Sequence, residues 1–130
     1  MTAEHRAANA RLCDWLGVDP EEWQLRCRRD GFQTGRPSFK SPEEADKYRH
    51  SYGHTDYDPV PIYPDLATRE GFWVLWDALK AKRYWPKIDG NHAYIRGHQW
   101  ASDVMADKPW AALFAAAVAL MQREGEGNGN

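Results

Sequence analysis

Asp89-Gly90-Asn91 stands between two short runs, Tyr84 to Ile88 and His92 to His98. A turn tripeptide in that setting closes an antiparallel hairpin, because Gly and Asn accept the backbone angles of a tight reversal. On the return strand Ala93 and Ile95 share one face, with His92, Tyr94, Arg96 and His98 on the other. Pro86 lacks a ladder donor, which suits the first strand to a sheet edge or puts the proline at a strand start.

Helical periodicity flanks the hairpin on both sides. Thr68 is positioned to cap a helix with the stripe Phe72, Leu75, Trp76 and Leu79. Lys80, Lys82 and Arg83 fall in its expected last turn, where cations complement the helix dipole. After Asp107-Lys108-Pro109, the residues Trp110, Leu113, Phe114, Ala117, Val118 and Met121 recur as the apolar stripe of a final helix. Helix, hairpin and helix make the class α+β, with a small antiparallel sheet covered by helices.

The first half is less regular. Ala8, Leu12, Trp15 and Leu16 predict a helix from Glu4 to Leu16, stopped by Gly17. Asp19-Pro20-Glu21-Glu22 carries the N-cap, proline and acidic residue of a helix start, which predicts a short helix through about Arg28. Gly31, Gly35 and Pro37 make a loop or irregular hairpin of Asp30 to Lys40. Ser41-Pro42-Glu43-Glu44 repeats the cap and opens a helix toward Arg49. Pro59, Pro61 and Pro64 predict that His50 to Asp65 forms no regular element, and long ordered loops tend to carry function. Residues 124–130 read as a disordered Gly-rich tail, leaving 1–123 as one domain.

Charge narrows the partners. Lys and Arg number 17 against 19 Asp and Glu, a net −2, so no global field attracts duplex DNA or a membrane. No apolar run reaches the roughly 18 residues of a membrane span, and no signal-peptide core is visible, so a cytoplasmic location is expected. Cys13 and Cys27 are too few for a disulfide scaffold and read as free thiols.

Tyr63-Pro64-Asp65-Leu66-Ala67-Thr68, Gly71-Phe72, Leu75 with Leu79, the Tyr84-Trp85 strand and Asp107-Lys108-Pro109-Trp110-Ala111 form a recognisable series. With the opening helix ending Trp15-Leu16-Gly17, this pattern resembles the phage ABA-sandwich domain of small bacteriophage and prophage proteins. The resemblance covers residues 5 to 17 and 63 to 121. It implies a viral accessory protein with an α/β/α-layered fold, in the host cytoplasm, and brings no catalytic residues. Residues 19–60 belong either to that fold or to an insertion.

Three constellations are candidates for function. Tyr52, His50 and His54, followed by Asp56 and Asp58, offer a ligand-closing loop, or imidazole and carboxylate donors for metal-assisted hydrolysis. Arg28, Arg29 and Arg36, beside Arg26, Lys40 and the rings of Phe32 and Phe39, suit a nucleotide or nucleotide-derived signal. Tyr94 and Arg96, with His92, His98, Trp85, Lys87 and Trp100, form a pocket lining or a partner-binding sheet face. Among the seven tryptophans, Trp15, Trp76 and Trp110 are expected inside, whereas Trp23, Trp73 and Trp100 are left for a contact surface.

No G-x-S-x-G or other nucleophile arrangement is present. The leading expectation is a non-enzymatic phage accessory protein that binds, without a cofactor, a host protein such as a defence component. The alternatives are a nucleotide-sequestering protein and a metal-dependent hydrolase using the 50–58 loop. An edge strand at Tyr84 makes a homodimer an expectation as well.

Overall fold

The structure, a computed structural model, describes residues 2–33 and 37–126. In chain order the elements are α1 (Ala3–Leu16), β1 (Glu22–Cys27), α2 (Pro42–Ser51), β2 (Tyr57–Ile62), α3 (Phe72–Ala81), β3 (Trp85–Asp89), β4 (His92–Arg96), β5 (Ala101–Met105) and α4 (Pro109–Met121), followed by a π-helical turn at Gln122–Glu126. The fold is α+β, with two antiparallel sheets among the described residues. The chain divides into two compact units, Asp19–Pro64 and Met1–Val18 with Asp65–Asn130.

In the unit Asp19–Pro64, β1 pairs with β2 from Glu22 opposite Ile62 to Cys27 opposite Tyr57. This corrects the helix expected over 19–28. Leu25 and Cys27, two apart, are both buried, and cross-strand pairing outweighs the local Asp-Pro-Glu-Glu start signal. It also corrects the irregular loop expected over 50–65, because α2 runs on to Ser51 and residues 57–62 are a strand. The prolines are compatible with that strand for a geometric reason. Trp23 gives its N–H to the Phe39 carbonyl at 2.7 Å, away from β2, so Pro61 opposite it owes no ladder bond. Pro59, opposite Leu25, repeats the position two residues earlier. An edge strand absorbs both. The α2 cap forms as expected, with the Ser41 hydroxyl accepting from the Glu44 N–H at 3.2 Å.

The other unit is built on α4. This helix buries Ala112, Leu113, Phe114, Ala116, Ala117, Leu120 and Met121, which is most of its circumference. It packs on β4 and β5 on one side and meets α1 and α3 elsewhere, so its buried surface is broader than one stripe. Trp110 and Val118, expected inside, are half-buried. Leu12, Leu75, Leu79, Leu113 and Leu120 are fully buried, each contributing about 1.5–3 kcal/mol by removal from water. Asn9 takes a core position on α1 because its side-chain oxygen accepts the Leu66 N–H at 3.0 Å.

Thr68 braces the turn ahead of α3 and does not cap the helix. Its hydroxyl donates to the Asp65 carbonyl and accepts from the Gly71 N–H, and the helix begins at Phe72. Gly71 itself is required there, since a Cβ would collide with the Asp65 carbonyl and the Leu66 Cα. At the other end α3 stops at Ala81, which leaves Lys82 as C-cap and Arg83 outside the helix.

The expected hairpin forms, with Trp85 opposite Arg96 and Asp89 opposite His92, so Asp89 ends the first strand and Gly90-Asn91 makes the turn. A third strand, β5, was not expected from the sequence. Ala101-Ser102-Asp103-Val104-Met105 has little strand propensity of its own and is fixed by pairing with β4. A Ser102 hydroxyl bond to the Ala116 carbonyl, 2.7 Å, ties it to α4. Sheet order is β3-β4-β5. Ala93 and Ile95 are buried, as predicted. Helix α4 packs on the sheet at β4 and β5, so the expectation of helices on both faces is met on one face only. On the opposite face Trp85 is 75% exposed and Met105 74% exposed, so no helix covers them. The polar residues interspersed there, Lys87, Arg96 and Asp103, are costly to bury without partners.

Candidate functional site

The structure brings two of the sequence candidates into one place and lets them neutralise each other. Arg28 leaves the end of β1 and meets the Asp58 carboxylate of β2 at 2.9 Å, with a second bond, 2.6 Å, to the Thr55 carbonyl. Arg29 pairs with Asp56 at 2.8 Å. Its guanidinium is held above the ordinary value first by the contact with Cys27 and then by Asp56. Arg49, near the end of α2, completes the set: it bonds Asp46 at 2.6 Å and the Tyr57 carbonyl at 2.9 Å, 3.7 Å from Asp58. The arginines expected to hold an anion thus face the carboxylates expected to hold a metal.

Tyr52 and His54, both exposed, each bring a ring near that of Tyr48. Their rings are 4.5 and 6.2 Å from the Tyr48 ring, and His54 also packs edge-on against Tyr57. His50 is 3.6 Å from Asp46. Among the described residues no group of three or more His, Cys, Asp and Glu gathers as metal ligands. Arg36 lies outside the described residues.

The sheet of the other unit presents a different surface. Register and alternation place three rows of side chains on its open face: Trp85, Arg96 and Ala101; Lys87, Tyr94 and Asp103; Asp89, His92 and Met105. Tyr94 is 38% exposed. Its hydroxyl lies 3.0 Å from His92 Nδ1, the two rings are 4.1 Å apart, and His92 Nε2 is 3.5 Å from Asp103. Tyr94 is therefore held in place by its neighbour two residues earlier on the same strand. Of Trp73, Tyr94, Arg96 and Trp100, expected to contact a partner, Tyr94 and Arg96 share this face. Trp100, in the loop after β4, is exposed with Arg123 over its ring, 5.8 Å from the centroid. Trp73 is exposed on α3 and belongs to a separate group of rings with Phe72 and Trp76. Trp23 is half-buried in β1. Met105 was missed because its strand was missed.

The loop between β4 and β5 is held from the C-terminal side. The expected tail starts with a residue that packs. The Glu124 carboxylate accepts the N–H groups of Gln99 and Trp100 at 3.1 and 3.2 Å. Burial opposes its ionisation, but those two amides, the Tyr84 hydroxyl and the His98 amide outweigh it and hold the carboxyl below its usual range. Tyr84 is pushed up to about 12, by burial first and then by the hydrogen bond and charge of Glu124. Residues 127–130 lie outside the described residues.

Both cysteines are buried thiols that are not joined in a disulfide. Burial, and then the charge of Asp65, push the Cys13 thiol up to about 12, which leaves it protonated and unreactive at neutral pH. Comparison with protein-family models, curated proteins and solved structures returns no match for this chain.

Proposed function

We propose that the protein works by binding another protein through the open face of β3, β4 and β5, with no chemistry of its own. One observation carries this reading: Trp85, Tyr94 and Met105 stand exposed across a single uncovered sheet face. Large rings and methionine are residue types enriched where protein interfaces are anchored. Lys87 and Arg96 stand among Asp89 and Asp103, so both signs are present. That mixture matches a protein surface with its own mixed charges better than a polyanion. The resemblance of the second half to a phage domain supports a host protein as the partner, with restraint of a defence component as the role. The nucleotide reading at Arg28 and Arg29 has weaker support, because each guanidinium already holds a carboxylate. Metal-assisted hydrolysis at the 50–58 loop has the same weakness, since Asp56 and Asp58 are engaged by those arginines.

A photo-crosslinking phenylalanine analogue at position 94, with one at the exposed Arg6 of α1 as control, tests the proposal in the host cell. The expected result is one discrete adduct from position 94 alone, lost when Met105→Glu is added. Equal labelling from both positions, or none from 94, overturns it. An adduct of twice the chain mass replaces the host protein with a second copy of the chain.

A further inference from the structure

A cleft of about 500 Å³ lies between the second half of α3 and the start of β3, lined by Trp76, Lys80, Arg83, Tyr84, Trp85 and Pro86. Its volume is in the range of small-ligand sites. Tyr84 and Pro86 are buried, and Trp76 is half-buried. Two indoles therefore supply broad apolar faces, while the two cations stand exposed. Among the described residues no carboxylate lines the cleft. Neither Lys80 nor Arg83 has an ion-pair partner among the described residues, in contrast to Arg28, Arg29 and Arg49.

The backbone adds an independent sign. Arg83 has φ 65°, the one non-glycine residue in the left-handed region among those described. It follows the Lys82 C-cap, with its N–H bonded to the Lys80 carbonyl and the Tyr84 N–H to the Leu79 carbonyl, both at 2.9 Å. Glycine fits this position without strain and is the usual residue there. An arginine here keeps a backbone penalty in return for a side chain, and that side chain lines the cleft.

We propose that this cleft binds a nucleotide, with the base against the Trp76 and Trp85 indoles and the phosphate held by Lys80 and Arg83. Bases stack on aromatic faces whatever their identity, and a guanidinium fork matches phosphate oxygens. All six lining residues belong to the unit that carries α3 and β3, and the proposal shares Trp85 with the open sheet face but does not rest on the protein-binding reading.

Titration of the intact protein with each of the four ribonucleoside 5′-monophosphates, followed by tryptophan fluorescence and calorimetry, tests it. At least one is expected to bind saturably and quench fluorescence, with the matching nucleoside and inorganic phosphate each weaker by roughly tenfold or more. Arg83→Gly relieves the left-handed strain, so its melting temperature should rise while nucleotide affinity falls by about tenfold. Lys80→Ala should weaken binding similarly, and Met105→Glu on the open face should leave it unchanged. No saturable binding of any of the four up to millimolar concentration overturns the proposal. So does a nucleoside that binds as tightly as its monophosphate, or an Arg83→Gly variant with undiminished affinity.

Discussion

Glu124 shows how much one side chain near the end of the chain organises. Its carboxylate is the acceptor for two successive amides of the β4–β5 loop and for the Tyr84 hydroxyl. The loop would otherwise leave those N–H groups to water, with Trp100 free to swing. Glu124 ionises below the usual carboxylate range when folded, so the unfolded chain binds more protons than the folded one in acid. The contribution is full above the unfolded value and is lost as pH falls through the folded one. Melting temperatures measured from about pH 6 to about pH 3 should therefore fall more steeply for the wild type than for Glu124→Gln. Parallel curves would show that the carboxylate is not held by these amides. Tyr84 behaves in the opposite sense, because the folded chain keeps its proton up to about 12 and stability declines as alkali ionises the unfolded chain first. None of this was legible in the Gly-rich composition that follows Met121, since the partners of Glu124 come from a loop far away in sequence.

Strand and helix signals fared differently for a physical reason. The signals for α1, α2, α4 and the hairpin are local: apolar spacing, a cap within four residues, a turn tripeptide. Helices and tight hairpins satisfy their backbone bonds with near neighbours, so the sequence around them carries most of the information. β1, β2 and β5 obtain theirs from partners elsewhere in the chain. Asp19-Pro20-Glu21-Glu22 promises a helix that pairing with 57–62 forbids, and Pro59 and Pro61 look like breakers until the ladder's alternation is known. This account predicts an asymmetry across β1 and β2. Pro59→Val adds an N–H at a position that owes no ladder bond, and should change stability by less than about 1 kcal/mol. Leu25→Ala, on the fully buried side chain opposite, should cost about 2–4 kcal/mol through lost burial and a cavity. Urea unfolding of both variants measures the difference. A Pro59→Val change as costly as Leu25→Ala would mean that the proline is not at an open edge.

At the scale of the molecule, a charge count of 17 against 19 conceals two opposite arrangements. In the unit Asp19–Pro64, basic and acidic groups that are distant in sequence close on each other, and Arg28, Arg29 and Arg49 are all paired. In the other unit Lys80 and Arg83 face a cleft that no carboxylate lines among the described residues. Sequence reading weights a run such as Arg26 to Arg29 because the charges are adjacent, but whether a cation is available depends on which acids the fold brings to it. Each exposed pair contributes only about 0–1 kcal/mol to stability, so the main effect of the pairs is on what the surface attracts. Replacing Asp56 and Asp58 by Asn keeps shape, moves the formal charge from −2 to neutral, and leaves Arg28 and Arg29 without their carboxylate partners. The wild type should pass through a heparin column at physiological salt. The double variant should be retained and should elute as added salt screens its freed arginines, with a Debye length shortening from about 8 Å toward about 3 Å at 1 M. Retention of the wild type would mean that the aspartates fail to mask their partners, and would return Arg28 and Arg29 to the anion-binding role their spacing suggests.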